Sequence, residues 1–174
     1  MLQLYVRKNI FGFEFTSRNL LTLLLLGVLP NLFGWFVFSV PWGAGQFHIF
    51  QIAIFLAAGL FGAFGGAFAG AVGAVGSAVA LNNPYLIVGN VILGGLTGYL
   101  CMSRRWHIAP AALAAFAVQL PWLYYSDIAL AHMPVAVVQE VIVALAVSNV
   151  VMALMAGVLL PRLEGYYRAS PTRA

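Results

Sequence analysis

The protein has 174 residues, of which 63% are hydrophobic and 7% are charged, with a mean hydropathy of +0.99 and a formal net charge of +4. A soluble domain carries about 25% charged residues, so eight basic and four acidic side chains cannot cover a core in water. The composition excludes an ordinary soluble domain and predicts one compact unit in a lipid bilayer. The single cysteine, Cys101, excludes an intrachain disulfide.

The N-terminal residues 1–18 contain Arg7, Lys8 and Arg18 and precede an apolar run over residues 19–40. This run of about 22 residues is longer than the apolar core of a signal peptide, and no A-x-A-like cleavage site follows it. We predict that it is a retained membrane helix, preceded by a cytoplasmic or interfacial segment.

The next apolar stretch, residues 47–80, carries no formal charge and is too long for one crossing. As a single helix it would extend about 51 Å, whereas the hydrocarbon core of a bilayer is about 30 Å thick. The glycines Gly62, Gly65 and Gly66 predict a tight turn that divides the stretch into two helices.

Three more helices and a polar tail complete the chain. The predicted fold is an all-α integral membrane protein, a compact bundle of six transmembrane helices over residues 19–160. The last three helices are predicted over residues 85–102, 108–125 and 135–160, and the cytoplasmic tail over residues 161–174.

The basic residues agree with six crossings and a cytoplasmic N-terminus. All eight then lie on the cytoplasmic side and none in an outer loop, as the positive-inside rule requires. We therefore predict a multi-pass protein of a prokaryotic plasma (inner) membrane with both termini in the cytoplasm, and no nucleic-acid partner. The eight residues are Arg7, Lys8, Arg18, Arg104, Arg105, Arg162, Arg168 and Arg173.

Small residues recur at a spacing of four in the central part of the chain, as in Gly62, Gly66 and Gly70, followed by Gly94 and Gly98. Helices in lipid associate by close backbone approach, which small-xxx-small faces permit. These faces either pack the bundle alone or also dock another membrane subunit.

Polar residues concentrate in the predicted outer half of the bundle. Because buried polar groups are costly in hydrocarbon unless they are paired or face water, the concentration indicates a cavity open to the outside. Aromatic walls and amide groups there suit a small solute. The predicted substrate-binding residues are His48, Gln51, Asn90, Gln119, Trp122, Tyr125, Gln139, Glu140 and Asn149.

Several of these residues have a structural alternative. Glu140 is an acid within a span, which makes it a functional candidate, but it would also fit at headgroup level beside His132. Trp122 and Tyr125 would equally form an interfacial aromatic belt. A histidine such as His48 is more often a hydrogen-bonded structural residue than a ligand.

No catalytic, metal-binding or cofactor-binding motif is present in the sequence. His48, Asp127, His132 and Glu140 can be grouped as a metal or hydrolytic site, but their spacing does not require it. We predict that the protein is not an enzyme, and the absence of a Walker A sequence argues against ATP hydrolysis by this chain.

Residues 47–100 resemble the substrate-binding S components of energy-coupling factor (ECF) transporters. The resemblance lies in His48 and the following apolar run, the Gly/Ala-rich stretch 60–70, the pair Asn83-Pro84 and the stretch 89–98. Six spans in a chain of this length with both termini inside are also similar to that family.

The resemblance implies a vitamin or related micronutrient as the substrate, captured in an outward cavity. It further implies that residues 41–46 form a lid, that the last three helices carry much of the site, and that a membrane coupling subunit and two ATPase subunits drive import. The first helix lacks the Ala-x-x-x-Ala face with which many members dock the coupling subunit, since residues 20–27 read LLTLLLLG.

Two other functions remain open at the level of sequence. A membrane enzyme would use the outer His and acid residues, and a non-transporting assembly subunit would use the small-residue faces. Within the transport hypothesis, Trp122, Tyr125 and Glu140 favour a planar and cationic ring compound, because aromatic faces and a carboxylate both attract positive charge.

Overall fold

The computed structural model describes residues 16–33, 37–39 and 46–169. The helices are α1 (Ser17–Phe33), α2 (Gln51–Gly73), α3 (Val75–Ala80), α4 (Tyr85–Arg104), α5 (Ile108–Tyr125) and α6 (Val135–Ala169), and a π-helical turn (Ser126–Leu130) continues α5. Two short strands, β1 (Val37–Ser39) and β2 (Gln46–His48), lie between α1 and α2. Parts of three predicted segments lie outside the described residues: residues 1–15 of the N-terminal segment 1–18, residues 41–45 of the lid 41–46, and residues 170–174 of the tail 161–174.

The strands form an antiparallel pair in which Val37 pairs with His48 and Ser39 with Gln46. This corrects the prediction that the first helix continues to residue 40. Valine and phenylalanine fit a strand pair well, and the extended segment places the backbone of His48 beside α6 at the entry to α2.

Four helical segments are long and apolar enough to cross a membrane, and the shorter apolar helix Ser17–Leu32 makes a fifth. The four are Gln51–Ala80, Tyr85–Arg104, Ile108–Leu130 and Val135–Gly165. The described residues thus contain five apolar helical segments, whereas six transmembrane helices were predicted. The difference arises because the two helical parts of α2, which meet at the non-helical Gly62, are counted within one segment, Gln51–Ala80.

Gly62 interrupts α2 where the turn was predicted. Its φ of 68° and ψ of −155° are not helical, and a side chain disfavours this backbone region. Ile54 precedes Gly62 in α2 and Gly66 follows it. The side chain of Ile54 and the carbonyl of Gly66 both lie beside Gly94 of α4. The two halves of α2 therefore meet the same part of α4.

Glycines permit this close packing of α2 on α4. A methyl group added at Gly66 would overlap the carbonyl of Gly94, and one added at Gly98 would overlap the carbonyl of Gly62. Likewise, Gly70 lies against the carbonyl of Asn90. The predicted spacing of four thus corresponds to successive contact layers between two helices.

α1 is fixed to the bundle by a polar side chain that the sequence analysis did not single out. The Nδ2 of Asn31 donates to the carbonyl of Val72 at 2.9 Å, and its Oδ1 accepts from the N–H of Gly76 at 2.6 Å. Asn31 therefore bridges α1 to the junction of α2 and α3.

The outer surface of the bundle is apolar. Large hydrophobic side chains are exposed on it, including Leu21 at 61%, Val79 at 77% and Leu154 at 60%, while Phe55 and Leu93 are buried in the centre. Soluble monomers rarely expose contiguous apolar surface of this kind, so lipid is its natural solvent. The protein is a multi-pass membrane protein.

Candidate functional site

A small cavity of about 80 Å³ lies where β2, α2, α3, α4, α5 and α6 approach one another. Its polar lining comes from six elements and its apolar walls are aliphatic apart from Phe50, an arrangement typical of small-molecule sites. The polar lining residues are His48, Gln51, Ser77, Asn90, Gln119 and Asn149, and the apolar ones are Phe50, Leu81, Leu86, Leu93, Leu123, Val141 and Leu145.

The backbone of β2 is attached to α6 at the edge of this cavity. The N–H of His48 donates to Ser148 Oγ at 3.1 Å, and that hydroxyl donates to the carbonyl of Ala144 at 2.8 Å. The bond fixes the start of α2, so Gln51, the first residue of the helix, is placed at the cavity and is 1% exposed.

The α4–α5 wall depends on another close glycine contact. Gln119 lies on Gly89, where an added Cβ would be 3.1 Å from the amide nitrogen of Gln119. On α4, Asn90 donates to the carbonyl of Leu86 at 2.9 Å. Gly89 therefore leaves room for the amide of Gln119 to lie between the helices.

Two amide groups at the cavity are incompletely satisfied. Gln51 Oε1 and Asn149 Oδ1 are buried and have no hydrogen-bond partner among the described residues. Both residues are 1% exposed. An unsatisfied buried acceptor costs about 1–3 kcal/mol, so two of them at one cavity need an explanation beyond packing.

The electrostatics of the cavity are close to neutral. None of the described residues that line it is an Asp, Glu, Lys or Arg. Burial lowers the pKa of His48 below its ordinary value, which favours the neutral imidazole at pH 7. Its ring stands edge-on to Phe50 with the centroids 5.6 Å apart.

The structure brings five of the nine predicted site residues to the cavity, namely His48, Gln51, Asn90, Gln119 and Asn149. A sixth, Trp122, lies beside Gln119 in an adjoining crevice, where its indole N–H donates to the carbonyl of Tyr85 at 3.2 Å.

The remaining three predicted residues lie elsewhere. Tyr125 is 56% exposed, and Gln139 and Glu140 are exposed on α6. Ser77 and the aliphatic lining were not predicted from the sequence. A polar residue in the otherwise apolar α3 was the available signal for Ser77.

The four residues considered for a metal or hydrolytic site do not converge. Asp127 is buried and accepts a hydrogen bond from Asn83 Nδ2 at 2.7 Å, whereas Glu140 and His132 are exposed and His48 lines the cavity. No group of three His, Cys, Asp or Glu side chains suited to a metal ion is found in the described part of the chain.

A second and wider cavity, of about 520 Å³, lies among the ends of α4 and α5 and the later turns of α6. Its lining includes Arg105, Trp106, His107 and Glu164. It contains none of the predicted site residues, and its charged lining resembles a solvated surface. We therefore assign the candidate site to the smaller cavity, where buried amides lack partners.

The fold is similar to a solved structure of the S component of a bacterial ECF transporter. The two agree with a TM-score of 0.62 over 87% of this chain and 98% of that chain, at 15% sequence identity. This chain has the S-component fold. No family model matches the sequence, and no curated protein matches it, so the likeness lies in the fold. It confirms the resemblance that the Gly/Ala-rich stretches indicated.

Proposed function

We propose that this protein is the substrate-binding membrane subunit of an ECF-type importer and captures a vitamin or related micronutrient. The observation that carries the proposal is a buried amide-lined cavity within an S-component fold. A polar cavity that only packed helices together would be expected to satisfy its own acceptors, whereas Gln51 Oε1 and Asn149 Oδ1 have no partner among the described residues.

Six membrane crossings form part of this proposal. Residues 54 and 66 would be about 18 Å apart in a continuous α-helix, yet both lie beside Gly94. These contacts favour a reversal of the chain at Gly62. The first half of α2 would then run from the cavity to the opposite end of the bundle, and the second half would run back towards the cavity.

The charge distribution supports a cytoplasmic location for the opposite end. The wide cavity groups Gly59 and Phe61 with Arg105 and the segment of α6 that contains Glu164. Under the positive-inside rule, this end faces the cytoplasm of a prokaryotic cell. The amide-lined cavity then lies towards the outside, and both termini are cytoplasmic.

The proposed partners are a membrane coupling subunit and two ATPase subunits. α1 offers an apolar face with Leu21, Leu25 and Leu32 exposed. This face is bulkier than an Ala-x-x-x-Ala face, so the docking surface on this chain would differ from that pattern.

Native mass spectrometry of the protein in mild detergent tests capture of a substrate. We expect a stoichiometric non-lipid adduct that is lost in Gln51→Leu and in Asn149→Leu. Glu140→Gln is the matched control, because Glu140 does not line the cavity, and it should retain the adduct.

Purification of the tagged chain from its native membranes tests the importer assignment. We expect it to bring down one membrane protein and two ATPases with Walker motifs. A chain that carries no small-molecule adduct and purifies without ATPases would refute the proposed function.

A further inference from the structure

The two unpartnered acceptors and the uncharged lining restrict what the cavity can hold. Resting on the proposed function, we infer that the part of the substrate bound deepest is uncharged and presents N–H or O–H donors to Gln51 Oε1 and Asn149 Oδ1. The chemical class is a primary amide, ureido or amino-substituted heteroaromatic group. This replaces the cationic ring that Trp122, Tyr125 and Glu140 favoured at the level of sequence.

The requirement for donors comes from the acceptors. Gln51 and Asn149 approach the cavity from different helices, α2 and α6, and each has a fully buried amide oxygen without a partner among the described residues. An amide oxygen accepts but cannot donate. A ligand group that completes both must therefore carry donors, whereas an acceptor-only group would leave the oxygens unsatisfied.

Two other buried amides, those of Asn83 and Asn90, differ from this pattern. Asn83 Nδ2 donates to Asp127 Oδ1 and Asn83 Oδ1 accepts from the N–H of Tyr85. Asn90 is satisfied in part by the carbonyl of Leu86. The chain thus provides partners for polar side chains that hold the helices together.

The requirement for neutrality comes from the rest of the lining. A charged ligand group in a buried site needs a counter-charge, because an isolated ion is strongly disfavoured there. No described lining residue carries a formal charge, and the sequence from Asn19 to Ser103 contains no Asp, Glu, Lys or Arg. Glu140, which would have paired with a cation, is exposed on α6.

The size of the cavity limits the group further. Its volume of about 80 Å³ is well below the ~300–1,000 Å³ of sites that enclose a drug-sized ligand. The cavity suits a single ring or one end of a longer molecule, with Leu93 and Leu123 against its apolar faces.

Four probes of matched shape test the inference on the full-length protein in detergent. They are benzamide, acetophenone (which replaces the amide NH2 by a methyl group), benzamidine (a cation) and benzoate (an anion), each titrated to millimolar concentration while the thermal midpoint is recorded. We expect benzamide to bind at least tenfold more tightly than the other three, and its effect to disappear in Gln51→Leu and Asn149→Leu. Stronger binding of benzamidine or benzoate would overturn neutrality, equal binding of acetophenone would overturn the donor requirement, and no binding of any probe would overturn the site.

The ligand-free variants provide a second readout. Because replacing an unsatisfied acceptor by a similar apolar side chain removes a penalty, Gln51→Leu and Asn149→Leu should keep or raise the thermal midpoint. Asn83→Leu, which removes a satisfied amide and leaves Asp127 unpaired, should lower it. A fall in the first two variants as large as in Asn83→Leu would show that these amides are structural and would overturn the inference.

This inference and the proposed function can fail separately. A charged native adduct that disappears in Gln51→Leu would refute the uncharged donor group and leave the substrate-binding subunit intact. Purification without ATPases would contradict the importer while the probe series still decided the chemistry of the cavity.

Discussion

The packing of α2 on α4 predicts opposite effects for the adjacent substitutions Gly94→Ala and Gly95→Ala. At Gly94, the new methyl would overlap the carbonyl of Gly66 and lie 2.9 Å from the side chain of Ile54. At Gly95, the nearest atom is the Cβ of Ala67 at 3.4 Å, which is an ordinary contact. The two sites share the same helix and differ by one position.

The magnitude follows from the displacement that each methyl requires. To admit Gly94→Ala, the helices must separate by on the order of 1 Å, a gap that forfeits about a quarter to a half of each dispersion contact along the interface. Overpacking of this kind costs about 1–3 kcal/mol. Gly95→Ala instead gains about 1 kcal/mol of helix propensity, so the two variants should differ by about 2–4 kcal/mol.

Thermal unfolding in one detergent measures this difference. For a chain of this size, about 1 kcal/mol corresponds to roughly 2–4 °C, so the midpoint of Gly94→Ala should lie roughly 4–16 °C below that of Gly95→Ala. Equal midpoints would refute the direct backbone contact between Gly94 and Gly66. If Gly95→Ala were less stable than Gly94→Ala, then Gly95 and not Gly94 would lie at the contact with α2.

Three further predictions concern single positions. Gly62→Ala should lower the free energy of unfolding by about 1–3 kcal/mol, because a side chain is strained at a φ of 68°; an unchanged thermal midpoint would contradict it. Asp127→Ala should cost about 1–3 kcal/mol, because it leaves Asn83 Nδ2 buried without its acceptor, and Asp127→Asn should recover part of the loss in the same assay. Because burial lowers the pKa of His48 in the folded state, stability should be level above about pH 6.5 and should fall as pH drops from there through the lowered pKa; a midpoint series from pH 5 to 8 should show this slope weakened in His48→Gln.

Much of the architecture was predictable because it depends on composition and spacing. The low charge content required lipid as solvent, and the small residues at a spacing of four required close helix contacts. The interruption at Gly62 was predicted from length, since one straight helix over residues 47–80 would exceed the bilayer. The structure places the non-helical residue at the first of the three candidate glycines.

The strand pair before α2 was less accessible to sequence reasoning. The segment Val37–Ser39 continues the apolar run of α1 without a polar break, so hydropathy alone assigns it to the same helix. The segment leaves the helix because it pairs with Gln46–His48, and this pairing joins residues that are not adjacent in the sequence. Side-chain preference for strands is weak next to such tertiary pairing.

The sequence predicted the level of the site residues along the bundle better than it predicted which face of each helix they occupy. Residues of an α-helix advance by about 100° each, so Glu140 lies about 180° around α6 from Asn149, on the opposite face. Val141, Leu145 and Asn149 follow one face and line the cavity. In a soluble helix, the change from polar to apolar residues would mark that face, but in lipid both faces of α6 are apolar. The few polar residues of α6 therefore indicate the position of the cavity along the bundle. Which of their side chains face the cavity is known only from the packing of the helices.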